Sequence, residues 1–218
     1  KDLNNEIKKN ALSKFEKKIK LENIHKVNIA NFNEYRLDVI KKINKIKNIK
    51  KTLFQILKDD LEILFGKDIV IQKFLNLGIQ RPNDTERTPM HSDSPSHSLF
   101  EVVIWIPLVN SKKTMGMYFF PLNKTRKAKS LVVGGDNKDI EKFVKKFGKN
   151  MDIKFGEFVI FLTDCFHYIP INKEYKTRWS INLRFKNTFT PYSKKGFLDY
   201  YEPINYSKIT ERALNEKK

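Results

Sequence analysis

His167-Tyr-Ile-Pro-Ile-Asn-Lys-Glu-Tyr-Lys-Thr-Arg178-Trp-Ser180 is the stretch on which the reading of this chain turns. Ten residues separate His167 from Arg178, and Ser180 follows two later. Thr177 to Phe185 reads as a strand, so Arg178 and Ser180 share one face of it. A lone histidine is more often a packed side chain than a ligand, and a lone strand arginine more often faces water. The residues further out change the weighing. His91-Ser92-Asp93 lies upstream, with Asp93 74 residues before His167. In an extended segment, residues two apart point the same way, so His91 and Asp93 can offer an imidazole and a carboxylate to one ion. An HxD pair alone is common by chance. HxD, a distant histidine and then His-x10-Arg-x-Ser is a far more specific combination.

Two histidines and one carboxylate make a facial triad, the ligand set that suits Fe(II) and leaves three positions open. Structural zinc sites take four protein ligands, often paired cysteines, and this chain has only Cys165. A 2-oxoglutarate chelating such an iron through its C1 carboxylate and keto oxygen sends its other carboxylate deeper into the fold. A planar guanidinium answers that carboxylate with two parallel hydrogen bonds, and a neighbouring hydroxyl adds a third. Arg178 and Ser180 are the residue types this needs. The expected catalytic and metal-binding residues are therefore His91, Asp93 and His167. The expected co-substrate anchors are Arg178 and Ser180.

Around these motifs the chain divides by texture. Residues 1–65 read as a helical layer. Leu37, Ile40, Ile43 and Ile46 recur at spacings of three, and Leu53, Leu57, Leu61 and Leu64 continue an apolar face between lysines. Residues 66–190 read as the core, with strands over 68–77, 99–109, 116–122, 130–133, 153–162, 167–171 and 177–185. A loop spans Gln80 to Pro89, and a helix spans 139–147 with Asp139 as its cap. Residues 191–218 read as a C-terminal extension with a short helix from Ser207. Many short strands after helices predict a sandwich or barrel within one domain.

The net charge is +18 from 43 Lys and Arg against 25 Asp and Glu, and all but 7 of the cations are lysine. Specific readers of phosphate and bases favour arginine forks, so this pattern points to a solvated basic surface before nucleic acid. It also suits a small anionic substrate. One cysteine excludes an internal disulfide, and no apolar run nears the roughly 20 residues of a membrane span. With no signal-peptide pattern at the start, the expectation is a cytoplasmic protein with no membrane partner.

Taken together, His91-Ser-Asp93, Val103-Ile-Trp-Ile-Pro-Leu108, Gly116-Met-Tyr-Phe-Phe-Pro121 and His167 with Arg178 and Ser180 resemble the Fe(II)/2-oxoglutarate-dependent oxygenases. The resemblance covers roughly residues 68–187 and is to the phytanoyl-CoA dioxygenase-like branch. Within it, the texture is similar to the StrG-type oxygenases of carbohydrate and aminoglycoside gene clusters. The resemblance implies an all-β core with helices, a cupin-like double-stranded β-helix (jelly roll) buttressed by N-terminal α-helices. It implies Fe(II), 2-oxoglutarate and O₂, and hydroxylation of a small polar substrate such as a carbohydrate or nucleotide-sugar derivative. It adds Gln72 as a co-substrate contact. Arg87, His97 and Arg184 are candidate substrate contacts by position, with Arg81, Trp105 and Tyr118 behind them. Many members continue the Gly-to-Pro segment as Pro-Gly-Ser-His, whereas Leu-Asn-Lys follows Pro121 here. Two other classes stay open: a non-catalytic cupin-like binding module, and a nucleic-acid hydroxylase or binder.

Overall fold

The computed structural model describes residues 2–15, 19–85, 88–94 and 96–216. Helices α1 (Asp2–Ala11), α2 (Phe32–Asn44) and α3 (Ile49–Phe65) come first, with a 3-10 turn over Leu21–Lys26. Asn31 caps α2 by accepting from the Glu34 amide. The apolar run of the sequence is not one helix. Asn48 sits in the left-handed region (φ 59°) and separates α2 from α3, and Gly66 (φ 70°) ends α3. The buried face of α2 is Tyr35, Val39 and Ile43, a spacing of four, whereas Leu37 points outward.

Ten strands follow: β1 (Ile69–Gln72), β2 (Asn76–Gln80), β3 (Thr88–His91), β4 (Glu101–Pro107), β5 (Met117–Phe119), β6 (Lys149–Met151), β7 (Val159–Leu162), β8 (His167–Ile169), β9 (Arg178–Asn187) and β10 (Tyr201–Asn205). The larger sheet runs β10-β1-β9-β4-β7, with β2 also on β9, and the smaller runs β3-β8-β5-β6. All named pairings are antiparallel. The helical layer covers the outer face of the larger sheet, against Trp179, Ile181, Leu183 and Phe185 of β9 and Val102 and Ile104 of β4. Two backbone links sew it on: the Trp179 indole donates to Leu21 O (2.8 Å) and the Thr177 amide to Glu22 O (2.8 Å). Between the sheets, Val103 and Trp105 meet Met117, Ile153, Phe161 and Ile169.

Three expectations need correction. The single strand over 68–77 is two strands, because Asn44 exchanges hydrogen bonds with the Leu75 backbone and turns the chain there. The strand over 130–133 is part of helix α4 (Thr125–Gly134). Its valines suggested a strand, but Val133 faces solvent while Ala128 and Leu131, three apart, pack inward. Helix α5 (Asn137–Phe147) is capped by Asp136, which accepts from the Asp139 amide; Asp139 is not the cap. Together α4 and α5 cover the outer face of the smaller sheet through Phe143, against Met90, Phe120 and Phe166. Strand β10 has no counterpart in the sequence reading, since Pro203 argues against a strand and is tolerated only because β10 lies at the sheet edge. The short helix expected after Ser207 is α6 (Lys208–Asn215), with Ser207 as its cap. Among the described residues, no helix is long and apolar enough to cross a membrane.

Glu101, fully buried at the start of β4, gathers three donors: His97 Nδ1 (2.9 Å), the Ser98 amide (2.9 Å) and the Tyr201 hydroxyl (2.5 Å). Burial pushes its carboxyl up, but these partners outweigh that and leave it below its usual value of 4.5. A carboxyl lowered in the fold stabilises the protein above its unfolded pKa, and that stability is lost as pH falls through the folded value. Glu101→Ala is therefore expected to cost roughly 2–4 kcal/mol at neutral pH, since it strands three buried donors. The deficit against wild type should shrink as the pH is lowered below about 4.5. Denaturant unfolding at pH 7 and pH 4 measures both.

Candidate metal centre

Strands β3 and β8 lie side by side in the smaller sheet, with His91 directly opposite His167. Their ring centroids are 4.2 Å apart. Each Nδ1 faces the carbonyl two residues earlier: His91 to Pro89 O (2.8 Å) and His167 to Cys165 O (3.0 Å). A carbonyl only accepts, so both Nδ1 atoms carry the proton and both Nε2 lone pairs are left for a cation. Asp93 follows β3 in a turn that Thr163 holds, its carbonyl accepting the Asp93 (2.8 Å) and Ser94 (3.0 Å) amides. This brings Asp93 Oδ1 to 3.4 Å from His91 Nε2. One ligand atom from each of the three residues lies within 4.8 Å of the other two.

The electrostatics suit a divalent cation. Burial pushes the Asp93 carboxyl up, but the neighbouring His91 and the Arg184 guanidinium overcome it, so the carboxyl stays ionised. Burial and the neighbouring His91 hold His167 down to about 4, so it is neutral near pH 7 and free to ligate. For His91, burial lowers the pKa, but the carboxylate of Asp93 raises it by more. The negative member thus already attracts a positive partner.

From this centre the inner face of β9 runs down the space between the sheets as Arg184, Asn182, Ser180 and Arg178. Arg178 is buried, and its Nε and Nη1 have no hydrogen-bond partner. Burial lowers its pKa, to about 10, and among the described residues no carboxylate offsets this. Asn182 Oδ1 is likewise buried without a partner. Gly78 on β2 stands opposite Ser180, and a Cβ there would lie 2.9 Å from Ser180 Oγ and 4.0 Å from Arg178 Nη2. The bare backbone leaves room at both groups. A donor pair without an acceptor, beside a hydroxyl and a missing side chain, fits a carboxylate. The donor set above it, two imidazoles and one carboxylate, fits Fe(II).

The other expected residues fall differently. Gln72 is buried beside the centre, donating to Phe74 O (2.6 Å) and accepting from Arg184 Nη1 (3.3 Å). Arg184 pairs with Asp93 (Nη2 to Oδ2, 2.6 Å). His97 pairs with Glu101, and Arg81 pairs with Asp84 and lies 4.0 Å over the Phe32 ring. Trp105 belongs to the core between the sheets, and Tyr118 pairs in register with Tyr168 in the smaller sheet. Arg87 lies outside the described residues. The sequence reading passed over Gly78, Thr163 and Tyr200. Only Gly78 carried a local signal, a glycine between Leu77 and Ile79 in a strand, which marks a close approach. A cavity of about 530 Å³ lies on the outer face of the smaller sheet, between Met90, Tyr118 and Tyr168 and the α5 residues Ile140, Glu141, Val144 and Lys145, with His91 also in its lining.

No family model matches the sequence, and no curated protein does. Solved structures do match in shape. The non-heme monooxygenase ThoJ in its apo form superposes over 99% of this chain and 84% of its own, at 12% identity and TM-score 0.57. The nickel complex of ThoJ covers 73% of this chain, which spans 65% of that one, at 15% identity and TM-score 0.50. HygX from Streptomyces hygroscopicus, with nickel and 2-oxoglutarate bound, covers 74% and 69%, at 9% identity and TM-score 0.50. At such identities the likeness is one of fold: helices on two antiparallel sheets that form a cupin-like jelly-roll core.

Proposed function

We propose that the chain is an Fe(II)- and 2-oxoglutarate-dependent oxygenase. The observation that carries this is the pairing of two features in one chamber. One is the His91, Asp93 and His167 cluster; the other is the buried, unpartnered guanidinium of Arg178 further down the same space. A buried cation that costs desolvation and meets no anion supports an anionic ligand in that chamber, and a carboxylate beside a candidate iron site suits 2-oxoglutarate. Fold likeness to HygX, a protein seen with nickel and 2-oxoglutarate, supports the same reading.

His91, Asp93 and His167 would hold the iron, and Arg178 with Ser180 would take the distal carboxylate of 2-oxoglutarate. With O₂, that pair supplies oxidative decarboxylation to succinate and CO₂ and the oxidation of a substrate C–H bond. The chain's own residues orient and exclude water. Val103, Trp105 and Phe161 wall the chamber with apolar surface, and the two Nδ1–carbonyl bonds keep the imidazoles in the ligating tautomer. The substrate would be a small polar organic molecule, such as a carbohydrate or nucleotide-sugar derivative. The resemblance of His91-Ser-Asp93 and the strands that follow it to the StrG-type branch supports this class, and the chain's excess of cations suits an anionic derivative. StrG-type carbohydrate-cluster oxygenases remain the branch we favour. One domain carries the activity, in a reducing cytoplasm that keeps the iron ferrous.

Purified chain with Fe(II), 2-oxoglutarate and O₂ is expected to form succinate, faster when the substrate is present, and His91→Ala to abolish both metal binding and turnover. A wild-type chain that binds neither Fe(II) nor 2-oxoglutarate defeats the proposal. Arg178→Met is expected to separate the two halves of the site. Removing an unpaired buried cation should leave the metal-free fold as stable or more stable, by roughly 1–4 kcal/mol. It should also weaken 2-oxoglutarate binding by about two orders of magnitude through the lost charge-assisted bonds. Calorimetric titration and thermal melting read both.

A further inference from the structure

Arg184 is 8% exposed and Gln72 2%. The Arg184 guanidinium divides its donors: Nη2 to Asp93 Oδ2 (2.6 Å), and Nη1 to Gln72 Oε1 (3.3 Å) and the Tyr200 hydroxyl oxygen (3.4 Å). Each support is itself held. Gln72 Nε2 donates to Phe74 O (2.6 Å). The Tyr200 ring meets the edge of His97 (5.4 Å) and lies under Lys195 Nζ (5.0 Å). Three separate parts of the chain thus fix the one cation on β9: β1, the turn after β3 and the segment just before β10. Meanwhile the second oxygen of Asp93, Oδ1, is the one that faces His91.

We propose that Arg184 is a positioning residue that restricts Asp93 to a single ligating oxygen, with Gln72 and Tyr200 holding Arg184 in place. The inference rests on the oxygenase reading above, and it assigns Gln72 and Arg184 to the carboxylate rather than to co-substrate or substrate. The coordination count gives the reason. Two imidazoles and one carboxylate oxygen leave three of six positions open. A carboxylate bound through both oxygens leaves two, which a chelating 2-oxo acid fills, so no position remains for O₂. An oxygen engaged at 2.6 Å by a buried guanidinium is not free to swing onto the ion.

The electrostatic sign separates this role from a merely structural one. Arg184 withdraws charge from the carboxylate, so its loss makes Asp93 a better donor while freeing Oδ2. For the full-length chain, Arg184→Gln is expected to change Co(II) affinity little, as read by anaerobic absorption titration. Its charge-transfer band with Fe(II) and 2-oxoglutarate should still form, but the rate at which O₂ discharges that band should fall about 10- to 100-fold. Arg184→Lys keeps the charge without the fork and should restore part of that loss. Tyr200→Phe should show a smaller loss of the same kind, and it keeps the test available if Arg184→Gln does not fold. Two results overturn the inference: O₂ discharging the band as fast as in wild type in Arg184→Gln, or metal and co-substrate affinity lost together with a lowered melting temperature. A wild-type chain that binds Co(II) but gives no 2-oxoglutarate band is a different failure. It removes the co-substrate reading itself, before any variant is compared.

Discussion

Strand β9 must satisfy two environments at once, and the rest of the molecule is arranged around that demand. Its odd residues, Trp179, Ile181, Leu183 and Phe185, are at most 1% exposed and form the floor of the helical layer. Its even residues, Arg178, Ser180, Asn182, Arg184 and Lys186, carry hydroxyl, amide and three cations into the space between the sheets. A side chain cannot change face without shifting the whole register. The apolar half therefore commits the polar half to the interior, where each charge requires a partner or a ligand.

The partners found along that row grade from structural to functional. Lys186 is fully buried and donates to the carbonyls of Thr190 (3.0 Å) and Pro191 (2.7 Å), while its Nζ sits 3.5 Å over the Tyr192 ring. Burial still lowers its pKa to about 8. Arg184 has a full charge partner in Asp93. Arg178, at the far end, keeps two donors without any acceptor. Asn182 Oδ1 and Arg184 Nε in the same row also lack a partner, but Arg178 is the cation that, among the described residues, meets neither a carboxylate nor a carbonyl, and a glycine-made gap lies beside it. Local frustration of this kind belongs at sites that meet a ligand.

The fold was legible where the local signal was strong. The helical N-terminal layer, the buried strand β4 and the His-x10-Arg-x-Ser segment all rest on periodicity or motif spacing. The reading failed where long-range contacts decide. Asn44 splits β1 from β2 across the sequence, and β10 exists only because β1 has a free edge. Val132 and Val133 suggested a strand by composition, but Phe143 and Ala128 pack a helix there. Among the candidate site residues, His91, Asp93 and His167 could be named from sequence because their spacing is local or motif-like. Tyr200 could not, because it reaches Arg184 only through the return of the C-terminal segment.

From the sequence alone came the candidate ligating side chains, the excess of lysine and the order of helices before strands. These depend on residue type and on short-range geometry, which a linear chain already carries. The tertiary structure alone decided which oxygen of Asp93 is free, which arginine is paired and which is left without a partner. It also decided that a glycine on one strand makes room at an arginine on the next. These are relations between residues far apart in the chain, fixed only when β3 lies against β8 and β2 against β9.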